Sequence, residues 1–305
     1  MITQTAKVIA PTTVTDAMLT SSTAPETDYA AYAGGTTYAL GAHVILASTH
    51  RIYESLQNGN TGHSPELAAA STWWLDIGPT NRWAMFDDVV GTSTALASPL
   101  TVVLRPGPIS GIALMEIVGA SVSVTLKDAP GGTTIYSATV NLDDTVVDSF
   151  YDWFFNPYVH RSSVILTDLP WHYFDPELTI SITGTGTVSC GVCKFGESIG
   201  IGGTTTGATA GIIDYSVKTV DVFGRTSVTR RAFSKRASIQ IVADKADLDR
   251  IFARLSALRA TPAVWIATEA AGFSPLLIYG FFKDFSIEVA YSVIVYCSLE
   301  IEGLI

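Results

Sequence analysis

The chain has 305 residues, 48% apolar and only 15% charged, with a formal net charge of −10. That length exceeds one small core and predicts two or three domains, and no stretch approaches the 18 consecutive apolar residues of a membrane-spanning helix. Cys190, Cys193 and Cys297 cannot all pair internally and are too few for a secreted disulfide scaffold.

The charge is uneven. Residues 1–200 carry 7 Lys and Arg against 18 Asp and Glu, whereas residues 201–305 carry 11 against 10. The acidic part should repel nucleic acid and anionic membranes. Scarce charge beside abundant apolar residues predicts apolar surface buried between subunits. β-branched and aromatic residues abound and one stretch reads as helix, so the expected fold class is all-β.

Residues 1–27 are rich in Thr, Ser and Ala and read as an extended arm, poorly ordered unless a neighbour holds it. The arm has one Lys and a three-residue apolar run, Val8 to Ala10, broken by Pro11. That is unlike a signal peptide, so folding in a cytoplasm is expected. Residues 28–80 read as a small module rich in aromatics, with strands near 42–47 and 51–56 around a turn at Ser48-Thr49-His50. Asn58-Gly59-Asn60-Thr61-Gly62 is a loop signal.

Residues 81–200 read as a β-sandwich. Strand-like runs fall at 100–104, 112–118, 121–126, 133–140, 163–168, 178–182 and 187–195, with Pro- and Gly-rich turns between several of them. An aromatic, acidic stretch, Phe150 to Tyr158, interrupts the series. Residues 196–211 hold six glycines in sixteen, which places a Gly-rich linker and domain boundary at 201–211.

Residues 212–305 form the last expected domain. Strands are expected at 213–220, 226–233 and 236–243, then a helix at 245–259 with Asp244 as N-cap, and Pro262 as its stop. Leu248, Ile251, Phe252, Leu255 and Leu258 follow at helical spacing. Strands at 263–267, 276–283, 284–290 and 292–302 close the domain. The last alternates with period two, with Val293, Val295, Cys297, Leu299 and Ile301 on one face.

Several motifs look chemical. Gly196-Glu197-Ser198-Ile199-Gly200 fits the nucleophile-elbow pattern, but glycines follow where a helix is needed, and no His lies beyond His172. Cys190-Gly191-Val192-Cys193 has no second C-x-x-C and no βαβ context, so core cysteines are expected. His43, His50 and His63 lack the i, i+4 spacing of a helical metal site and read as surface or loop histidines. Asp87-Asp88 and Asp143-Asp144 are adjacent, whereas glycosidase carboxylates must oppose one another across a cleft. No catalytic residue, metal or cofactor is expected.

Residues 225–259 hold nine of the eighteen basic side chains. Without an RNA-binding or helix-in-groove signature, a partner interface is the better reading, with Arg230, Arg231, Lys235, Arg236, Arg250 and Arg254 as its candidates. The acidic 1–200 region, or a neighbour's copy of it, is a candidate partner. In the 28–80 module most aromatics must be core. Tyr32, Tyr53, Trp73 and Trp74 are the candidate sugar platforms, and on a strand one of the Trp73-Trp74 pair points inward and the other outward.

Tyr38-x-x-Gly41-x-x-Val44, Tyr53-x-Ser55-Leu56, Asn60-x-Gly62-x-x-Pro65 and Trp73-Trp74 resemble the small chitin-binding type 3 modules. That resemblance implies a tiny aromatic core and contact with host-surface polysaccharide. From Asn81-Arg82-Trp83-Ala84-Met85-Phe86-Asp87 onward a longer resemblance runs to the C-terminus. Gly211 to Ser216, Ala260 to Ile266, Tyr279-Gly280-Phe281 and Glu300 to Leu304 look like a family of tailed-phage tail proteins. It implies a non-enzymatic virion component at the tail tip or baseplate, such as a distal or minor tail protein. It also implies a tail-tube-like domain at 212–305, other tail proteins (tube and hub) as neighbours, and a homo-oligomeric ring of six copies, with three as the alternative; the alternative function is a glycan-binding adhesin, a receptor-binding tail protein without a ring-forming role.

Overall fold

The computed structural model describes residues 4–67, 72–268, 274–288 and 293–304. Strands make up 49% and helices 9%, so the fold is all-β with several sheets. The first half of the strand order is β1 (Gln4–Pro11), β2 (Leu19–Ser22), β3 (His43–Leu46), β4 (Arg51–Ser55), β5 (Trp74–Pro79), β6 (Thr94–Ala97), β7 (Leu100–Leu104), β8 (Gly111–Met115), β9 (Ser121–Lys127) and β10 (Thr134–Asn141). After helix α1 (Phe150–Phe155) come β11 (Ser163–Leu166), β12 (Glu177–Thr183), β13 (Thr187–Cys190), β14 (Val192–Thr204), β15 (Thr209–Asp214), β16 (Val217–Val220), β17 (Thr226–Thr229) and β18 (Phe233–Asp244). Helix α2 (Leu248–Ala257) precedes β19 (Ala263–Ile266), β20 (Leu277–Glu288) and β21 (Ile294–Gly303).

An antiparallel nine-stranded sheet runs β11-β8-β14-β1-β19-β20-β21-β18-β15. β14 also pairs with β18, at Gly203↔Val242 and Thr204↔Ile241. The six strands from β14 round to β18 therefore close on themselves, and closure leaves no free edge along that ring. Val295, Cys297, Leu299 and Ile301 of β21 are all buried inside it, as period two requires. Val293, grouped with them by the alternation, precedes the strand and is exposed. Trp265 on β19 is fully enclosed and donates Nε1–H to Gly280 O at 2.9 Å. Ile251 and Leu255 of α2 join this core.

The expected helix at 245–259 is shorter. Lys245–Asp247 form a 3-10 turn, Asp244 makes no side-chain cap, and Phe252 is exposed. The two strands expected at 276–283 and 284–290 are one long strand, β20, with a register shift between Phe282 and Asp284. Residues 289 and 290 lie outside the described residues.

Two corrections matter for domain organisation. Residues 4–11 are not a loose arm: β1 sits between β14 and β19, with Ala6, Val8 and Ile9 fully buried. The partners of this strand lie some 190 and 257 residues away, beyond any local signal. Residues 201–211 are not a linker either. They are the end of β14, a turn and the start of β15. Gly202, at φ +128°, lies where an added Cβ would stand 2.6 Å from Val242 O. The glycine there permits close strand approach rather than slack.

A five-stranded sheet, β10-β9-β12-β7-β2, faces the β11-β8-β14 end of the large sheet. Leu104, Val124 and Ile180 from the first share one core with Leu114, Cys193 and Phe195 from the second. The first half of β14 thus belongs to one core and its second half, through Ile199 and Ile201, to the closed ring. The boundary expected near residue 200 runs through the middle of a strand. Three-stranded β3-β4-β5 forms the small module, while β13-β6 and β16-β17 form two-stranded sheets.

Candidate interaction surfaces

The small module buries Val44, Tyr53 and Trp74. Trp74 packs edge-on to Tyr32 and Tyr38 at 5.9 and 5.2 Å and donates Nε1–H to His63 O at 2.7 Å. Tyr53 and Trp74 are therefore core residues and not sugar platforms. Trp73 is half-buried, with His63 stacked on it at 3.8 Å, and Tyr32 is half-buried against Tyr38. Of the four candidates, these two keep exposed surface.

His50 is not a plain loop histidine. Its Nδ1 lies 2.8 Å from Glu26 Oε1 and its Nε2 2.8 Å from Asp16 Oδ1, while the ring stacks on Trp83 at 4.0 Å. Thr80 Oγ1–H donates to the same Glu26 oxygen at 2.9 Å. These contacts tie the turn between β3 and β4 to the segments flanking the module. The partners stand 24 to 34 residues from His50, so no spacing rule could find them.

Asp87-Asp88 also has a structural role. Buried Lys194 donates to Asp88 Oδ1 at 2.8 Å and to Phe86 O at 2.9 Å, and the Tyr279 hydroxyl donates to the same Asp88 oxygen at 2.9 Å. Burial pushes the Asp88 carboxyl up, but the hydrogen bonds and charge of Lys194 outweigh it and hold the group below its ordinary value. Asp87 goes the other way. Burial raises it despite hydrogen bonds from Thr92 and the Val89 amide, and its buried Oδ2 has no partner among the described residues.

The signs give paired predictions. For Asp88, lowered in the fold, the stabilisation is present above its unfolded value and is lost as pH falls through the folded value. Asp88→Asn should cost about 1–2 kcal/mol at neutral pH, below the 3–5 typical of a broken buried pair because water screens an exposed carboxylate. For Asp87, raised in the fold, stabilisation is present below its unfolded value and lost as pH rises through the folded value, so the neutral-pH carboxylate is a net cost. Asp87→Asn should raise the melting temperature at pH 7 and lose that gain in acid. Thermal melts of both variants from pH 3 to 8 check the opposite signs.

The cysteine pair and the G-x-S-x-G run both lie within the sheets. Cys190 and Cys193 are both buried, because Gly191 separates β13 from β14 and breaks the alternation that would have put them on opposite faces. Burial pushes the Cys193 thiol up to about 12, far from a reactive thiolate. Gly196 to Gly200 lie within β14, paired with β1, so Ser198 is no nucleophile elbow.

The basic candidates divide. Arg250 and Arg254 on α2 pair within the chain, to Asp247 at 2.9 Å and Glu197 at 2.8 Å. Arg230, Arg231, Lys235 and Arg236 are exposed around the root of the β16–β17 hairpin, and among the described residues no ion pair engages them. The hairpin is exposed along every residue of both strands, with Val222 95% and Phe223 86% exposed at its tip.

The other projecting surface had only a composition signal. Helix α1 is capped by Ser149, whose Oγ accepts the Asp152 amide at 3.1 Å, and buries no residue. Phe150, Trp153, Phe154 and Tyr158, on or just after this helix, are all more than half exposed, and so are Trp171 and Phe174 farther along the chain. No protein-family model, curated protein or solved structure matches the chain.

Proposed function

We propose that the protein is a structural component of a phage tail tip or baseplate and assembles as a ring. One observation carries the assembly reading. The chain exposes 16332 Å², against about 12,400 Å² for a compact monomer of its mass. Large apolar side chains cluster on two of the projecting parts, α1 and the β16–β17 hairpin. Monomers rarely leave large contiguous apolar patches exposed.

The tail assignment rests on the resemblance of residues 81–304 and is supported by a closed sheet flanked by one helix. We read residues 212–305, completed by β1 and the second half of β14, as the tail-tube-like ring builder. The two layers around β7 to β14 are then a β-sandwich, and the 28–80 module projects from it. Six copies, or three, would stack among other tail proteins in the virion. Any contact with host-surface polysaccharide falls to Trp73 and Tyr32, because Tyr53 and Trp74 are core.

Light scattering over a concentration series, with negative-stain images of the main species, tests this reading. A closed oligomer of fixed mass, a whole multiple of 32.5 kDa, is expected. A monomer at every concentration would sink the ring.

A further inference from the structure

We propose that the β16–β17 hairpin of one copy docks on the aromatic, acidic α1 segment of the next copy, a head-to-tail contact that repeats around the assembly. The inference rests on the oligomer reading above and names the surfaces that meet.

Three observations favour a second copy as the occupant. First, among the described residues the hairpin pairs only with itself, through Val217↔Thr229 to Val220↔Thr226. A lone two-stranded hairpin is marginal in water, so one that projects with Val220, Val222, Phe223 and Val228 exposed lacks the face that would hold it. Second, the α1 segment is the complementary case. It is a six-residue helix with no buried side chain, carrying a row of exposed aromatics of the kind that anchor interfaces.

Third, the charges match. Residues 143–168 carry five Asp against one Arg, a net −4, whereas Asp175 beyond them is neutralised by Arg105, and residues 212–236 carry six Lys and Arg against two Asp, a net +4. An acidic aromatic surface is a poor match for an anionic membrane or a nucleic acid and a good one for the cationic hairpin. Both surfaces are exposed in the same chain, so they do not satisfy each other internally. Two different patches meeting between identical chains make a heterologous contact, which closes into a ring or extends into a filament according to its rotation.

Charge reversal on each side tests the contact. Arg225→Glu with Arg230→Glu alters the hairpin, and Asp144→Lys with Asp148→Lys alters the α1 segment. None of these four side chains donates to or accepts from another side chain among the described hydrogen bonds, so the melting temperature should hold. Each doubly substituted chain should show self-association weakened at least about tenfold, and a chain carrying all four changes should recover most of it. Oligomers that persist in both reversed chains overturn this contact while leaving the ring reading intact. Loss in only one of them, or no recovery in the combined chain, also overturns it. Filaments in place of closed rings, with the reversal pattern as stated, keep the contact and sink the ring. A wild-type monomer sinks both. Wild-type chain that floats with phosphatidylcholine vesicles, and no longer does so after Phe154→Ser, would assign the aromatic surface to lipid and overturn the proposal.

Discussion

Removing residues 1–11 should abolish cooperative folding of the closed sheet. β1 fills the place between β14 and β19, pairing with residues 196–204 on one side and 264–266 on the other. Burial of Val8 and Ile9 alone is worth about 3–6 kcal/mol, against a total stability of about 5–15 kcal/mol for a typical domain. The deletion also exposes two unpaired strand edges, which invite aggregation. The truncated chain should lose the sharp thermal transition and the near-ultraviolet signal of buried Trp265. A synthetic peptide of residues 4–11 should restore part of that signal by refilling the gap, as strand addition does in other sheets. A truncated chain that melts like the full one would show that β1 contributes nothing.

Gly196→Ala should be the most damaging methyl group that can be added to the G-x-S-x-G stretch. Its Cβ would stand 1.9 Å from Ala10 O, a backbone atom held by the Pro11↔Gly196 register. Neither strand can retreat without breaking the pairing that joins the two cores. A loss of about 3 kcal/mol is expected, which lowers the melting temperature by about 5 °C in a chain of this size. Gly200→Ala is the internal control, because its Cβ would meet only Thr5 Cγ2 at 3.5 Å, an ordinary contact. It should be nearly silent. Equal effects at the two positions would refute the steric account.

The fold class was legible in the sequence and the connectivity was not. The alternation in β21 placed Val295 to Ile301 inside correctly, because period two is a local property. The glycines of 196–211 misled because glycine serves both slack and close approach, and only the neighbour at Val242 or Ala10 decides which. β1 was missed for the same reason, since its burial comes from residues almost a chain length away. Among the site candidates, local pattern sent one of Trp73 and Trp74 inward, and Trp74 is the inward one. It could not separate Arg254, neutralised by Glu197, from Arg230 and Arg231 on the open hairpin root. The α1 aromatics were visible as composition, but their exposure depends on the helix lying over no sheet.

The position of β1 also sets an order of events during synthesis. Its pairing partner Trp265 is made 257 residues after Val8. Until then β1 has no second neighbour, and the ring cannot close. Folding that depends on such remote pairing is slow and passes through species with exposed edges. The five-stranded sheet, which uses residues 19–183, can form earlier and act as a platform. The closed ring should therefore form only after β19, β20 and β21 have been made, and its yield should depend on the chaperones that guard the waiting β1 segment.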